Sequence, residues 1–369
     1  NGGVLGALGA GFQINTRDLT LGGLAAMSFN TTATAFSNTL NDGAAAVPID
    51  VPSGPYLSFA LDGLNFSLLG SAVSGNVEVV LSGGLVGESS DAVLIEVEDL
   101  TLGGGVGSTV SYALTDLTGF LLSDSQGVAA SLSGGLQFSG LEGISFVIPS
   151  ASVELNTRGQ DSTYVVGNEQ YRFRNANYFE MVAQGAVARI ENDAIEGDFT
   201  FGFDPGNGLS TAALSGSLAD ASFALGDGLV SLRDGQGAIL IDENGTVGVF
   251  EGNVVISSPD VEASGAFEGQ FTTRAVAVGE VLTVNGGDFQ LRQASESSLN
   301  LSGDGVSLAF GAQIFTGSFR FDAQDSGEVG VQAIDVNASL TSGGTTFFEL
   351  SDADGALFIS PKGNAAEVS

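Results

Sequence analysis

Three stretches decide the fold: DLTGFLLSDSQG (Asp116–Gly127), DGQGAILIDENG (Asp234–Gly245) and DADGALFISPKG (Asp352–Gly363). Each opens on Asp, places a glycine three residues on (Gly119, Gly237, Gly355) and a second one eight further (Gly127, Gly245, Gly363). Their starts are 118 residues apart both times. Between the glycines runs an apolar strand-like segment. A block that recurs at a fixed interval is a supersecondary unit whose interface is satisfied by its neighbour.

Two further motifs recur in the same order. Glycine pairs twelve apart (Gly63 and Gly75, Gly185 and Gly197, Gly305 and Gly317) each precede an alternating segment, NVEVVL, DFTFGF or SFRFDA. A Thr-Arg motif ends FQINTR (Phe12–Arg17), VELNTR (Val153–Arg158) and GQFTTR (Gly269–Arg274). Its first interval is longer, which places an insertion of roughly twenty residues in the first copy, before its glycine pair or near GESSDAV (87–93). The units read as 1–127, 128–245 and 246–363, with 364–369 starting a fourth. The first eleven residues, NGGVLGALGAG, lack the basic start of a signal peptide, so the chain reads as the interior of a longer array.

Alternation sets the secondary structure. YLSFAL (56–61), NVEVVL (76–81), DFTFGF (198–203) and SFRFDA (318–323) put every second residue on one face, the period of a half-buried strand. Fifty-five glycines, with Asp, Asn and Ser, interrupt them every few residues. Asp62-Gly63, Asn244-Gly245 and Asp304-Gly305 carry the chemistry of tight hairpin turns. Residues 175–193 have near-helical apolar spacing, but their place in the repeat argues for strands. The fold class is all-β: about three repeats in an elongated array of antiparallel hairpins, as a β-solenoid or an extended β-sandwich rod. Serial compact sandwich domains remain open, although no linker separates the units.

The phrases SGDGVSLAFGAQIFTGSFRFDA (302–323) and FELSDADGALFISPKG (348–363) resemble the tandem repeats of giant bacterial surface proteins that carry an LEPR-XLL domain. The LEPR signature itself is absent from this sequence. The resemblance implies an extracellular, bacterial, repetitive structural protein at the cell surface. A second likeness is to the β-rich repeats of AsmA-type lipid-bridging proteins, which form an apolar groove.

Composition removes most chemistry. There is no Cys and no His, which excludes thiol nucleophiles, disulfides and Ser-His dyads. Forty-three acidic residues against ten basic ones give a net charge of -33, which repels nucleic acid and anionic membranes. Glycine and polar residues break every apolar run before the length of a membrane helix. No carboxylate pair stands in a setting that marks catalysis, so no enzyme is expected.

The remaining candidates are binding and structural. Asp352 and Asp354, with Asp242 and Glu243, are oxygen donors that would suit calcium, the one cofactor the residues allow; the other reading is Asp capping a turn. Tyr164, Tyr171, Arg172, Phe173, Arg174, Tyr178 and Phe179 gather aromatics and guanidinium groups as a sugar-binding surface does; the other reading is a hairpin packed on the core. Arg17, Arg158 and Arg274 are either buried partners of carboxylates or strand-edge charges. The function these features imply is a structural segment of a bacterial fibre, adhesin stalk or surface layer. Its partners are further copies of itself. The alternative is an adhesin module that binds a surface glycan.

Overall fold

A computed structural model describes residues 5–15, 18–41, 46–51, 53, 56–69, 71–80, 93–166, 169–174, 177–190, 193–205, 209, 211, 213–225, 230–256, 261–284, 287–294, 298–310, 313–323, 329–342, 345–359 and 365–368. Arg17, Gly363 and most of the segment 87–93 lie outside them.

The chain is an antiparallel meander. β1 (Leu5–Asn15) pairs with β2 (Leu19–Asn30). A hairpin of β3 (Phe36–Asn41) and β4 (Ala46–Val51) leaves the sheet, and β5 (Tyr56–Leu68) returns to pair with β2. Then come β6 (Ser71–Val80), β7 (Val93–Val106), β8 (Val110–Ser123), β9 (Val128–Ser139), β10 (Ile144–Val147) and β11 (Ala151–Asn156). A second outlying hairpin, β12 (Ser162–Val166) and β13 (Glu169–Phe173), precedes β14 (Tyr178–Ile190), which pairs with β10 and β11. β15 (Asp193–Phe203), β16 (Ala213–Leu225), β17 (Val230–Asp242), β18 (Gly245–Ile256), β19 (Val261–Ser264) and β20 (Ala266–Thr272) follow. After the third hairpin, β21 (Val281–Val284) and β22 (Gly287–Gln290), the sheet resumes with β23 (Ser298–Phe310) and β24 (Gln313–Ala323). It ends with β25 (Val329–Ser342), β26 (Thr345–Ile359) and β27 (Ala365–Val368). Residues 178–190, helical in spacing, are thus a strand.

One large sheet of 21 strands results, and among the described residues β1 pairs only with β2 and β27 only with β26. The sheet is not flat. Neighbouring strands sit about 4.8 Å apart, so β8 and β15, four pairings apart, would lie roughly 19 Å from each other in a plane. Instead the Tyr112 ring of β8 lies 6.5 Å from Phe203 of β15 and 6.2 Å from Phe179 of β14. Its hydroxyl donates to the Leu209 carbonyl at 2.6 Å. The sheet has curled its apolar face around one continuous core that runs from Leu19 to Ile359.

The curl comes from bulges set side by side. In β8, Val110, Tyr112 and Leu114 face the core, but beyond Asp116 the core residues are Leu117 and Leu121. One extra residue has reversed the parity. Asp116 carries it with φ 52° and its side chain exposed. Asp234 in β17 and Asp352 in β26 have φ of 55° and 51°. Asp99, Asp220 and Asp335 bulge at φ 55°, 51° and 53° in the preceding strands β7, β16 and β25. Asp tolerates this left-handed geometry better than most residues with a side chain. Gly185 in β14 and Gly305 in β23 extend two of the rows, at φ 57° and 65°.

Asp116, Asp234 and Asp352 are therefore mid-strand bulges, which corrects the turn-cap reading for Asp352. Asp304-Gly305 likewise interrupts β23 where its pairing slips between Gly303 and Val306, and Asp62-Gly63 lies where β5 slips between Leu61 and Leu64. Only Asn244-Gly245 closes a hairpin, between β17 and β18. A D-G pair supplies positive φ to a turn or to a bulge alike, so local sequence does not separate the two.

The second glycine of each pair has a different reason. A Cβ on Gly75 would lie 2.8 Å from Leu100 Cα, one on Gly317 2.9 Å from Val336 Cα, and one on Gly197 3.1 Å from Ala221 Cα. Each is pressed against the bulge of the next strand. Gly119 and Gly237 are pressed in the same way on Leu132 and Phe250. At Gly237 the Cβ would sit 2.6 Å from Phe250 Cα, whereas at Gly185 it would meet nothing within 4 Å. Gly237→Ala is therefore expected to cost more than about 2 kcal/mol through overpacking. Gly185→Ala should cost about 1 kcal/mol from backbone strain alone. Asp234→Gly should be neutral or stabilising within about 1 kcal/mol, because it relieves that strain. Urea midpoints of the three variants check the ranking; a Gly237→Ala as stable as wild type would refute the close-approach account.

Candidate functional site

The parity reversal has a second consequence. Beyond each bulge the outward-facing residues include Phe120 and Leu122 in β8, and Ala238 and Leu240 in β17. These are apolar and need a cover, which the outlying hairpins provide. Tyr164 and Phe173 of β12–β13 pack with Leu94, Phe120, Leu122 and Ala129. Leu282 and Val284 of β21–β22, with Leu291, pack on Ala238, Val247 and Val249. Tyr164 precedes Leu282 by 118 residues and Phe173 precedes Leu291 by 118.

The best-built polar site lies where the second cap joins the sheet. The turn between β8 and β9 is closed by Asp124, whose Oδ1 accepts from Gln126 N at 2.8 Å and Gly127 N at 3.2 Å. Its Oδ2 faces Arg158 Nη2 at 2.7 Å, and both side chains are 4% exposed. The guanidinium carbon lies 5.4 Å from the Tyr164 ring centroid. Arg158 Nε and Nη1 have no protein partner. Beside the pair, Thr157 Oγ1 accepts from Val128 N at 2.9 Å and donates to Asp18 Oδ2 at 2.6 Å. A Cβ on Gly127 would lie 2.5 Å from that hydroxyl, which explains the glycine. Thr273 Oγ1 accepts from Thr246 N at 2.9 Å beside Gly245 in the same manner.

Arg158 is thus a buried partner of a carboxylate. Arg274 is less enclosed: its Nη2 meets Glu280 Oε1 at 2.6 Å, the side chains being 14% and 27% exposed. The hydrogen bond from Arg274 holds the Glu280 carboxyl below its ordinary value. Asp242, the position 118 beyond Asp124, caps Asn244 N at 2.7 Å rather than pairing with Arg274.

Asparagine ties the second cap down, a role that the Thr-Arg spacing does not reveal. Asn156 is fully buried; its Nδ2 donates to Gln160 O at 3.2 Å and Arg174 O at 2.9 Å, so it joins both stems of the hairpin. Asn30, also fully buried, donates to Thr34 O at 2.9 Å and accepts from Thr32 N at 2.8 Å. Asn156 likewise accepts from Arg158 N at 3.0 Å. By geometry the first counterpart of VELNTR is therefore MSFNTT (Met27–Thr32), not FQINTR, and Thr32 stands where the later copies have arginine. The FNTT/LNTR likeness was the available signal. In the third unit Gln270 does this work through Arg292, with bonds of 2.8 and 2.6 Å.

Of the aromatic patch, Tyr164, Phe173, Tyr178 and Phe179 are buried, Tyr171 is half-buried, and only Arg172 and Arg174 are exposed. Burial and the nearby Glu154, to which its hydroxyl donates at 3.1 Å, push the Tyr178 phenol up to about 12. Arg174 lies 4.2 Å from the Tyr178 ring centroid and pairs with Glu180. A shallow polar depression nearby is lined by Asp161, Ser162, Thr163, Gln170 and Arg172. The calcium candidates are dispersed: Asp242 caps its turn, Asp352 is an exposed bulge residue, and Asp354 Oδ1 accepts from Asp335 N at 3.3 Å. Among the described residues no three acidic side chains come together as a metal group.

On the outer face Glu78 stands directly opposite Glu96. Burial and then the charges of Glu78 and Glu98 hold the Glu96 carboxyl above its ordinary 4.5.

No family model matches the chain, and neither a curated protein nor a solved structure is similar to it.

Two measurements test these electrostatics. Arg158→Met leaves Asp124 buried and unpaired and should cost about 3–5 kcal/mol; Arg274→Met should cost about 1 kcal/mol or less. Equal losses in thermal melts would contradict the burial difference. For Glu96, the raised value means that the folded state binds the extra proton first, so its contribution to stability falls as pH rises above 4.5. Glu96→Gln should then raise stability at pH 7 by roughly a few tenths of a kcal/mol and leave it unchanged near pH 4.

Proposed function

We propose that this chain is a structural segment of an extracellular bacterial assembly, built of about three units of some 118 residues that stack into an elongated array and associate with further copies. The observation that carries the reading is the recurrence of one backbone device. Asp116, Asp234 and Asp352 take the same left-handed bulge at equal intervals. Gly119 and Gly237 are pressed on the next strand in the same way, and outlying hairpins follow β2, β11 and β20. A unit of this kind cannot finish its own interior: Tyr112 of the first is buried by Phe179, Phe203 and Leu209 of the second. Stability is then a sum of nearest-neighbour interfaces, as in other quasi-linear arrays.

The chemistry of the surface agrees. The polar side chains at the turns and hairpin stems form caps, ties and ion pairs rather than a convergent set around a cleft. A net charge of -33 keeps copies apart laterally until salt screens it. The glycan-binding alternative loses most of its aromatic faces to packing under the second cap.

Negative-stain electron microscopy of the concentrated protein tests the proposal. Elongated particles that lengthen into filaments with concentration are expected. Compact isolated particles at all concentrations, together with selective binding on a glycan array, would replace the assembly reading with the adhesin one.

A further inference from the structure

One polar group on the outer face takes no part in the caps, ties and ion pairs. Beside the third hairpin an open crevice of about 610 Å³ runs over β16, β17 and β18. That volume lies within the roughly 300–1,000 Å³ of small-molecule sites. Asp234, Gln236, Glu251 and Asn253 line it, and all four are exposed. Gln236 stands directly opposite Glu251, and Asn253 lies two residues on along β18, on the same face as Glu251. None of the four side chains is hydrogen-bonded or ion-paired to a described residue. Gly237 and Gly252 contribute only backbone to the wall, and Phe289 of β22 lines the crevice from the hairpin side.

The second hairpin shows what opens this space. Tyr171 stands 118 residues before Phe289, and its ring meets Phe120 edge-on at 4.4 Å. Under the third hairpin Ala238 takes the place of Phe120, and Phe289 has no ring contact among the described residues. Gly119 and Gly134 recur as Gly237 and Gly252, so the backbone is kept. Thr118, Ser133 and Gly135, however, are replaced by Gln236, Glu251 and Asn253. A ring has been exchanged for space, and short side chains for longer polar ones.

The donors and acceptors select the ligand. The ionised Asp234 and Glu251 only accept, whereas Gln236 and Asn253 both donate and accept. A sugar hydroxyl also does both, so it can answer all four groups while the C–H surface of the sugar ring packs on Phe289. An amine only donates and would leave the carboxamide N–H groups unanswered. An acidic sugar would meet two carboxylates in a chain of net charge -33. We propose that the crevice binds an uncharged saccharide, with one ring against Phe289 and its hydroxyls on Gln236, Glu251 and Asn253. This goes beyond the structural role and does not depend on how copies assemble: elongated particles that bind sugar are compatible with both.

Calorimetry and ligand-observed NMR on the whole chain test it. The neutral probes are tetrasaccharides of glucose, mannose, galactose and xylose; tetragalacturonate is the acidic probe and spermidine the basic one. Saturable binding of at least one neutral probe is expected, with none of tetragalacturonate. Gln236→Thr/Glu251→Ser, which installs the residues found under the second hairpin, should weaken that binding at least about tenfold. Its melting midpoint should not move, because both side chains are exposed and unbonded. Phe289→Tyr, which keeps an aromatic ring, should retain binding. Failure of every neutral probe to bind, preference for spermidine, or undiminished binding by the double variant overturns the proposal.

Discussion

A strand can turn a corner only where one residue leaves the pleat, and its neighbours in the sheet must turn beside it. That constraint organises this protein. Asp220 and Asp234 bulge on adjacent strands, Gly185 bulges two strands before Asp220, and a Cβ on Gly197 between those two would lie only 3.1 Å from Ala221 Cα. The same arrangement surrounds Asp335 and Asp352 with Gly305 and Gly317. A lone bulge would slip the register of a single pair. A row of them bends the sheet as a body and brings Tyr112 to Phe203 across four pairings.

From the bend follows the two-sided use of each strand. Because the extra residue swaps the faces, a strand that puts odd positions inside along half its length puts even ones inside along the other. Apolar residues left outside by this exchange must be roofed, and the outlying hairpins are the roofs. Their stems are fixed by fully buried amides or carboxamides, Asn156 in one case and Gln270 in another. The choice has a physical basis. A buried carboxamide can donate and accept at once without carrying a charge, whereas Arg158 needs Asp124 beside it to be tolerated there.

Much of this was legible in the sequence, for identifiable reasons. Strands and their alternation follow from a period of two, and constant spacing exposes any recurring device. The role of the device was not legible. DLTG at Asp116 and DSQG at Asp124 look alike, yet the first is a bulge within β8 and the second the turn that ends it. Both need a residue that accepts positive φ or caps a nearby amide, and Asp serves either purpose. The aromatic patch is ambiguous in sequence for a related reason. Tyr171, Arg172, Phe173 and Arg174 alternate, so one face is aromatic and packed while the other is cationic and exposed. The first Thr-Arg copy, at Phe12–Arg17, shares its arginine with the later ones, whereas the buried group in common is the asparagine of Asn30 and Asn156.

Charge repulsion and sheet-edge hydrogen bonds act on different length scales in so acidic a chain. At physiological salt, repulsion between exposed carboxylates fades beyond roughly 8 Å. It therefore disfavours broad lateral contact between faces, where many carboxylates approach at once. An edge contact brings together only one strand from each copy, and its hydrogen bonds form at about 2.9 Å, well inside that distance.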